Sequence, residues 1–232
     1  PEELSINRID LFPTFHVSRS FRNNHQLMMS YTKRINRPRS WYLEPYETWV
    51  NSNTLRQGNA DLQPEYMHSF DLGYQKSFGK SFLAFEGYYK KTNDKIQRTT
   101  SVFDAENNIS KMTFDNISED HTIGVELMVN YNQLKWLDLN ASTSVFHYWI
   151  NGEVNNEIID KNDNNWNLRL NATFNLKTKT RIQLMNYYSG ASIVAQGTRG
   201  DFFYSSLAIR QDFLDRRLSA TLQIRDLFGT VE

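Results

Sequence analysis

Histidines are the residues here best suited to metal or proton chemistry, and the chain has five: His16, His25, His68, His121 and His147. Their spacing supports neither use. No two stand four apart, no H-E-x-x-H is present, and there is no cysteine to complete a zinc set. Each is read as a histidine of a strand or of an interfacial aromatic band. Asp160-Lys161-Asn162-Asp163-Asn164-Asn165 alternates oxygen ligands as a calcium loop does. However, Asn165 stands where such a loop turns on Gly, and Asn171 where it needs a bidentate Glu. A solvated polar loop is the reading. Gly58-Asn59-Ala60 lacks the strand-to-helix setting of a phosphate loop, and no G-x-S-x-G elbow occurs. Asn108-Ile109-Ser110 and Asn116-Ile117-Ser118 have the form of glycosylation sequons, a pattern that any Asn-rich chain produces by chance. The residues point to no enzyme, no metal site and no cofactor.

Recognition chemistry is better represented. Trp41, Tyr42, Tyr46 and Trp49 lie beside Arg37 and Arg39 in one polar stretch. Aromatic faces stack on sugars or apolar ligands, and guanidinium groups grip carboxylates or an anionic siderophore. The competing use of the same aromatics is packing among loops.

That stretch, 36–65, carries Pro38, Pro45 and Pro64, which remove backbone donors, so it is expected to be a loop with no regular helix or central strand. The segments around it alternate with period two. Ten strands are predicted: Leu11–Arg19, Leu27–Arg34, Tyr66–Gln75, Leu83–Lys90, Ile123–Tyr131, Leu137–Val145, Trp166–Leu176, Thr180–Tyr188, Phe203–Ile209 and Leu218–Ile224. The connections sort by length. Odd-numbered strands are followed by short turns. Even-numbered ones are followed by long polar excursions, at 36–65, 94–120 (with its own hairpin), 151–163 and 189–201.

Such segregation is the habit of outer-membrane barrels, with tight periplasmic turns and long external loops. Mean hydropathy of −0.62 and the absence of a long apolar run exclude a helical membrane protein, not a barrel that shows lipid only alternate residues. Formal net charge is zero and basic residues are scattered, so no field favours nucleic acid. In a barrel, the polar alternates Asp71, Glu86, Glu126, Asn130, Asn167, Arg169 and Asn171 would face the lumen or whatever fills it. The expected fold is all-β, an antiparallel up-and-down transmembrane β-barrel. Ten strands in lipid leave two unsatisfied edges, so this would be one part of a larger wall.

Particular motifs carry a resemblance. Arg34-Ile35-Asn36-Arg37-Pro38, Leu43-Glu44-Pro45-Tyr46, Gly58-Asn59-Ala60-Asp61-Leu62-Gln63-Pro64-Glu65 and Phe70-Asp71-Leu72-Gly73-Tyr74 follow one another in order. Arg225-Asp226-Leu227-Phe228-Gly229-Thr230 closes the series. Together they resemble the late barrel of TonB-dependent receptors, in the Bacteroidetes-type outer-membrane group, with Glu44, Ala60 and Gly229 replacing an expected Asn, Pro and Asn. The resemblance implies a barrel of about 22 strands filled by a plug domain. It also implies a bacterial outer-membrane location, coupling to TonB through segments upstream of these residues, and import of a nutrient such as a siderophore, cobalamin, peptide or glycan. The expected partners are outer-membrane lipid, the plug, TonB and the nutrient. Two other readings of the residues stay open: a glycan-binding surface β-protein and a passive porin.

Overall fold

The computed structural model describes residues 9–154, 157–194 and 196–230. Its strands are β1 (Thr14–Phe21), β2 (His25–Asn36), β3 (Thr48–Asn51), β4 (Thr54–Arg56), β5 (Glu65–Phe78), β6 (Ser81–Asp104) and β7 (Ile109–Leu134). There follow β8 (Leu137–Val154), β9 (Glu157–Asn175), β10 (Thr180–Ser189), β11 (Ser192–Val194), β12 (Gly197–Arg199), β13 (Phe202–Phe213) and β14 (Leu218–Ile224). One short helix, α1 (Ser40–Leu43), lies between β2 and β3.

Ten of these strands form an antiparallel meander in the order β1-β2-β5-β6-β7-β8-β9-β10-β13-β14, matching the ten predicted. Within the described residues the sheet does not close, and β1 and β14 each have a neighbour on one side only. The short turns are tight because they use left-handed backbone: Asn23 and Asn24 after β1, Gly79 after β5, Lys179 after β9, Leu214 and Asp215 after β13. Asn, Asp and Gly tolerate that region best, so the Asn pair and Gly79 suit their turns.

Register divides the sheet into two unlike faces. On one, Met29 pairs with Leu72, Leu72 with Gly87, Gly87 with Val125, Val125 with Val145 and Val145 with Trp166. On the other, Gly73 pairs with Glu86, Glu86 with Glu126, Glu126 with Ser144 and Ser144 with Asn167. The first face is apolar yet open: Leu72 is 56% exposed, Val125 44% and Val145 55%. A sandwich would bury such a face under a second sheet, whereas a membrane wall turns it to lipid. All seven polar alternates, Asp71, Glu86, Glu126, Asn130, Asn167, Arg169 and Asn171, fall on the second face.

Three expectations require correction. The 36–65 stretch holds α1 and the β3–β4 hairpin, because its prolines bracket these pieces (Pro38 before the helix, Pro45 after it) without interrupting them. The 94–120 excursion is a hairpin, as expected, but it is continuous with β6 and β7, which run straight past the apolar band. The polar 151–163 segment is strand where described, paired from Asn151↔Asp160 to Val154↔Glu157, with residues 155 and 156 outside the described residues. No apolar alternation marks these polar strands, because above the membrane neither face has to be apolar throughout.

Candidate ligand-facing surface

The long connections gather at one end of the sheet, where the outer parts of β6 to β9 and the 36–65 stretch form a polar canopy. Leu55, Leu62 and Phe114 are buried beneath it. β4 lies parallel to β7, with Leu55 opposite Lys111. Tyr42 stacks on Phe114 at 3.9 Å between ring centroids, and Trp41 meets the same ring edge-on at 5.2 Å. The Arg56 guanidinium covers Trp41 at 5.2 Å.

The family-like motifs act here as fasteners. Gly58 donates its N–H to the Glu44 carbonyl at 2.8 Å, and a Cβ at Gly58 would lie 2.4 Å from that oxygen, so only glycine fits. Asn59 donates to the Phe114 carbonyl and to Asp115 Oδ1, both at 3.1 Å. Asn116 Nδ2 donates to the Gln63 carbonyl at 2.9 Å, and Asn116 Oδ1 accepts the Gln63 N–H at 2.8 Å. The Glu65 carboxylate, 5% exposed, accepts from Asn36 Nδ2 at 2.6 Å and from the Ile96 N–H at 2.7 Å.

Of the predicted ligand contacts, Trp41 and Tyr42 are thus committed to packing. Tyr46 is 75% exposed and Trp49 56%, and Arg37 and Arg39 are exposed at the foot of the stretch. Phe114 could not be singled out from the sequence, because its role depends on a loop meeting a strand more than fifty residues away, and Arg56 could not because its contact with Trp41 depends on the β3–β4 hairpin. A second connection joins the canopy from the far side: Gln196 Oε1 accepts the Thr100 N–H at 2.8 Å, and Gln196 Nε2 donates to the Thr100 carbonyl at 3.1 Å.

Two of the histidines, His68 and His121, serve the band below. Tyr89 and His121 Nδ1 are 2.8 Å apart, and His121 stacks on Trp149 at 4.7 Å and 4°. Tyr31 and His68 Nδ1 are 3.0 Å apart. Among the described residues no group of His, Asp and Glu is arranged to hold a metal. The 160–165 run lies in β9, where successive side chains alternate between faces and do not converge. At the hairpin tip, hydrogen bonds from the Asn107 side chain and backbone and from the Glu106 N–H hold the Asp104 carboxyl below the ordinary aspartate range.

The profile of the outer membrane protein beta-barrel family matches residues 2–232. The chain belongs to this family. A comparison with curated proteins finds no match. Among solved structures, the siderophore receptor PirA from Pseudomonas aeruginosa superposes with a TM-score of 0.65 at 13% identity, over 94% of this chain and 38% of that one. A mutant of the ferric enterobactin receptor PfeA from the same organism gives 0.61 at 12%, over 94% and 34%. The copper transporter OprC gives 0.61 at 14%, over 95% and 34%. At these identities the likeness is one of fold, and the chain spans about a third of each neighbour. Family and fold together place the chain in the bacterial outer membrane as β-barrel wall.

Proposed function

We propose that this chain is part of the wall and external canopy of a TonB-dependent receptor that binds a nutrient outside the cell and imports it without chemistry of its own. The observation that carries the proposal is the canopy itself. Strands continue well past the lipid band and are buttressed by the 36–65 stretch through Gly58, Asn59, Gln63 and Glu65. A passive pore has no need of so braced an external structure, whereas a receptor must hold its ligand contacts rigid to gain affinity. The siderophore and copper transport roles given to the structural neighbours agree with this reading.

In this reading Arg37, Arg39, Tyr46 and Trp49 contact the nutrient, and Trp41 and Tyr42 hold the platform. The lumen residues Asp71, Glu86, Glu126, Asn130, Asn167, Arg169 and Asn171 meet a plug contributed by other parts of the full-length protein. The further strands that satisfy the open edges of β1 and β14 come from there as well. The test is uptake by cells carrying the full-length protein, with and without TonB. Uptake that disappears without TonB supports the receptor. Uptake that continues unchanged identifies a passive porin, and a monodisperse protein in detergent-free buffer would overturn both in favour of a surface glycan binder.

A further inference from the structure

The connection between β10 and β13 folds over the polar face of the sheet. Asn165, 6% exposed, fixes its start: Nδ2 donates to the Gly190 carbonyl at 3.3 Å and to the Ala191 carbonyl, and Oδ1 accepts the Trp166 N–H at 2.6 Å. Gly190 lies so close that a Cβ there would stand 2.4 Å from Asn165 Oδ1. Further along, in β11, Ile193 packs against Ile150 and Ile159, buried residues of β8 and β9. Gln196 then ends the crossing on β6 through its two bonds to Thr100.

Beside β11 this leaves a cavity of about 180 Å³ lined by Phe146, Tyr148, Asp163, Asn165, Ser192 and Ile193. The register puts Phe146 opposite Asn165 and Tyr148 opposite Asp163, on the same face as Ser144 and Asn167 and nearer the canopy. The polar groups differ in what they have left to offer. Asn165 is spent on the connection. Tyr148 donates its hydroxyl to Asp120 Oδ2 at 3.1 Å, and Lys95 Nζ, 3.2 Å from the same oxygen, matches that carboxylate's charge. The Asp163 carboxylate and the Ser192 hydroxyl have no hydrogen-bond or ion-pair partner among the described residues. Lys161 stands two residues from Asp163 on the same face of β9, so charges of both signs surround the cavity.

That combination selects a ligand. Two aromatic rings and Ile193 offer apolar contact, whereas a free carboxylate and a free hydroxyl call for hydrogen-bonding groups. Drug-sized ligands occupy about 300 to 1,000 Å³, so this cavity takes a single ring or the head of a side chain. An anion is opposed by Asp163, and an ammonium group would share Asp163 with Lys161. A sugar ring meets both demands without charge: its C–H face lies on an aromatic ring, and adjacent hydroxyls donate to the carboxylate.

We infer that this cavity is a subsite for one neutral pyranose ring of the nutrient. Phe146 is its apolar platform, Asp163 accepts two ring hydroxyls, and Ser192 bonds a third. The inference rests on the receptor reading above and narrows the nutrient to a glycan.

The test is saturation-transfer NMR on the full-length protein in lauryldimethylamine oxide, a detergent without a sugar head. Methyl glucoside, methyl galactoside and methyl mannoside are offered singly, with Nα-acetyl-lysine methylamide as the ammonium probe. At least one pyranoside is expected to bind in preference to the lysine probe, and Asp163→Ala and Phe146→Ala should each weaken it about tenfold. Heat-modifiable gel migration establishes that each variant is folded; should Phe146→Ala fail that control, Ser192→Phe, which fills the cavity from the connection, should abolish binding in its place. Binding of none of the three pyranosides, preference for the lysine probe, or pyranoside binding that folded Asp163→Ala leaves unchanged would overturn the subsite. The measurement needs no TonB, so the two readings fail separately. TonB-dependent uptake without pyranoside binding overturns the subsite alone, and pyranoside binding lost in Asp163→Ala supports the subsite even where uptake ignores TonB.

Discussion

The Glu65 carboxylate at the start of β5 accepts the backbone N–H of Ile96 in β6, 2.7 Å away, just beyond the last β5–β6 backbone pair at Tyr66↔Asn93. A side chain thus continues the ladder after the strand that made it has ended. Its other oxygen holds Asn36 at the end of β2, so one buried group joins three strands at the level where membrane wall gives way to canopy. Replacing Glu65 with Ala leaves both donors without this acceptor, and a loss of about 2 kcal/mol is expected. Hydrogen exchange of the refolded protein should show faster exchange across 94–104 with the 82–90 segment unchanged. Uniform loosening of β6 would contradict this account.

Gly58 tests the platform in another way. A methyl group there cannot coexist with the Glu44 and Tyr42 carbonyls, at 2.4 and 2.6 Å from the Cβ position, and those neighbours are backbone. Gly58→Ala should unseat residues 40–60 from β7. Limited proteolysis is expected to cut this stretch in the variant and spare it in wild type, while both retain the gel migration of a folded barrel.

Which face meets lipid can be measured by placing charge on each. Leu127→Lys, on the apolar face, should cost about 2 to 4 kcal/mol in urea titrations of protein folded into vesicles. Asn171→Lys, on the polar face, should cost far less. Equal penalties would mean that the faces have been assigned wrongly.

The canopy aromatics separate by role. On the reading proposed above, in which Trp49 contacts the nutrient, Trp49→Ala should weaken nutrient binding at least about tenfold without altering protease resistance. Trp41→Ala, which removes one of the two rings against Phe114 and the ring under Arg56, should increase protease sensitivity of the loop. Isothermal titration and proteolysis on the same preparations distinguish the two effects.

Asp104 predicts a local pH response. Its folded carboxyl titrates below the ordinary aspartate value through its bonds with Asn107 and Glu106, so the unfolded tip binds a proton more readily than the folded one. The contribution is fully present above the unfolded value of about 3.9 and is lost as pH falls through the lower folded value. Amide protection at Glu106 and Asn107 should decline over that acid window, and in Asp104→Ala it should be weak at every pH.

The period-two alternation of Ile123 to Tyr131 and Trp166 to Leu176 was legible because one face of each strand meets lipid and the other does not. It faded above the membrane, along Lys95 to Asp104 and the described residues of 151–163, where no lipid-facing side requires an apolar residue at every second position. Strand there is sustained by backbone pairing and by fasteners such as Asn59 and Glu65, not by pattern. The aromatics of the 36–65 stretch were visible as a group, yet the division between Trp41 and Trp49 was not. It depends on Phe114, which the fold brings from β7, and on Arg56, which the β3–β4 hairpin returns to Trp41.

Gln196 has one more consequence. Beyond Asn93, among the described residues, β6 has β7 on one side and no strand on the other, so its outer edge is a template on which a neighbouring molecule could lay a strand of its own. Glu65 occupies that edge at Ile96 and Gln196 occupies it at Thr100, each taking a backbone N–H that an intruding strand would require. With both positions held by side chains, a copy of this chain approaching in the plane of the membrane finds these two donors already taken, which opposes edge-to-edge pairing through this hairpin.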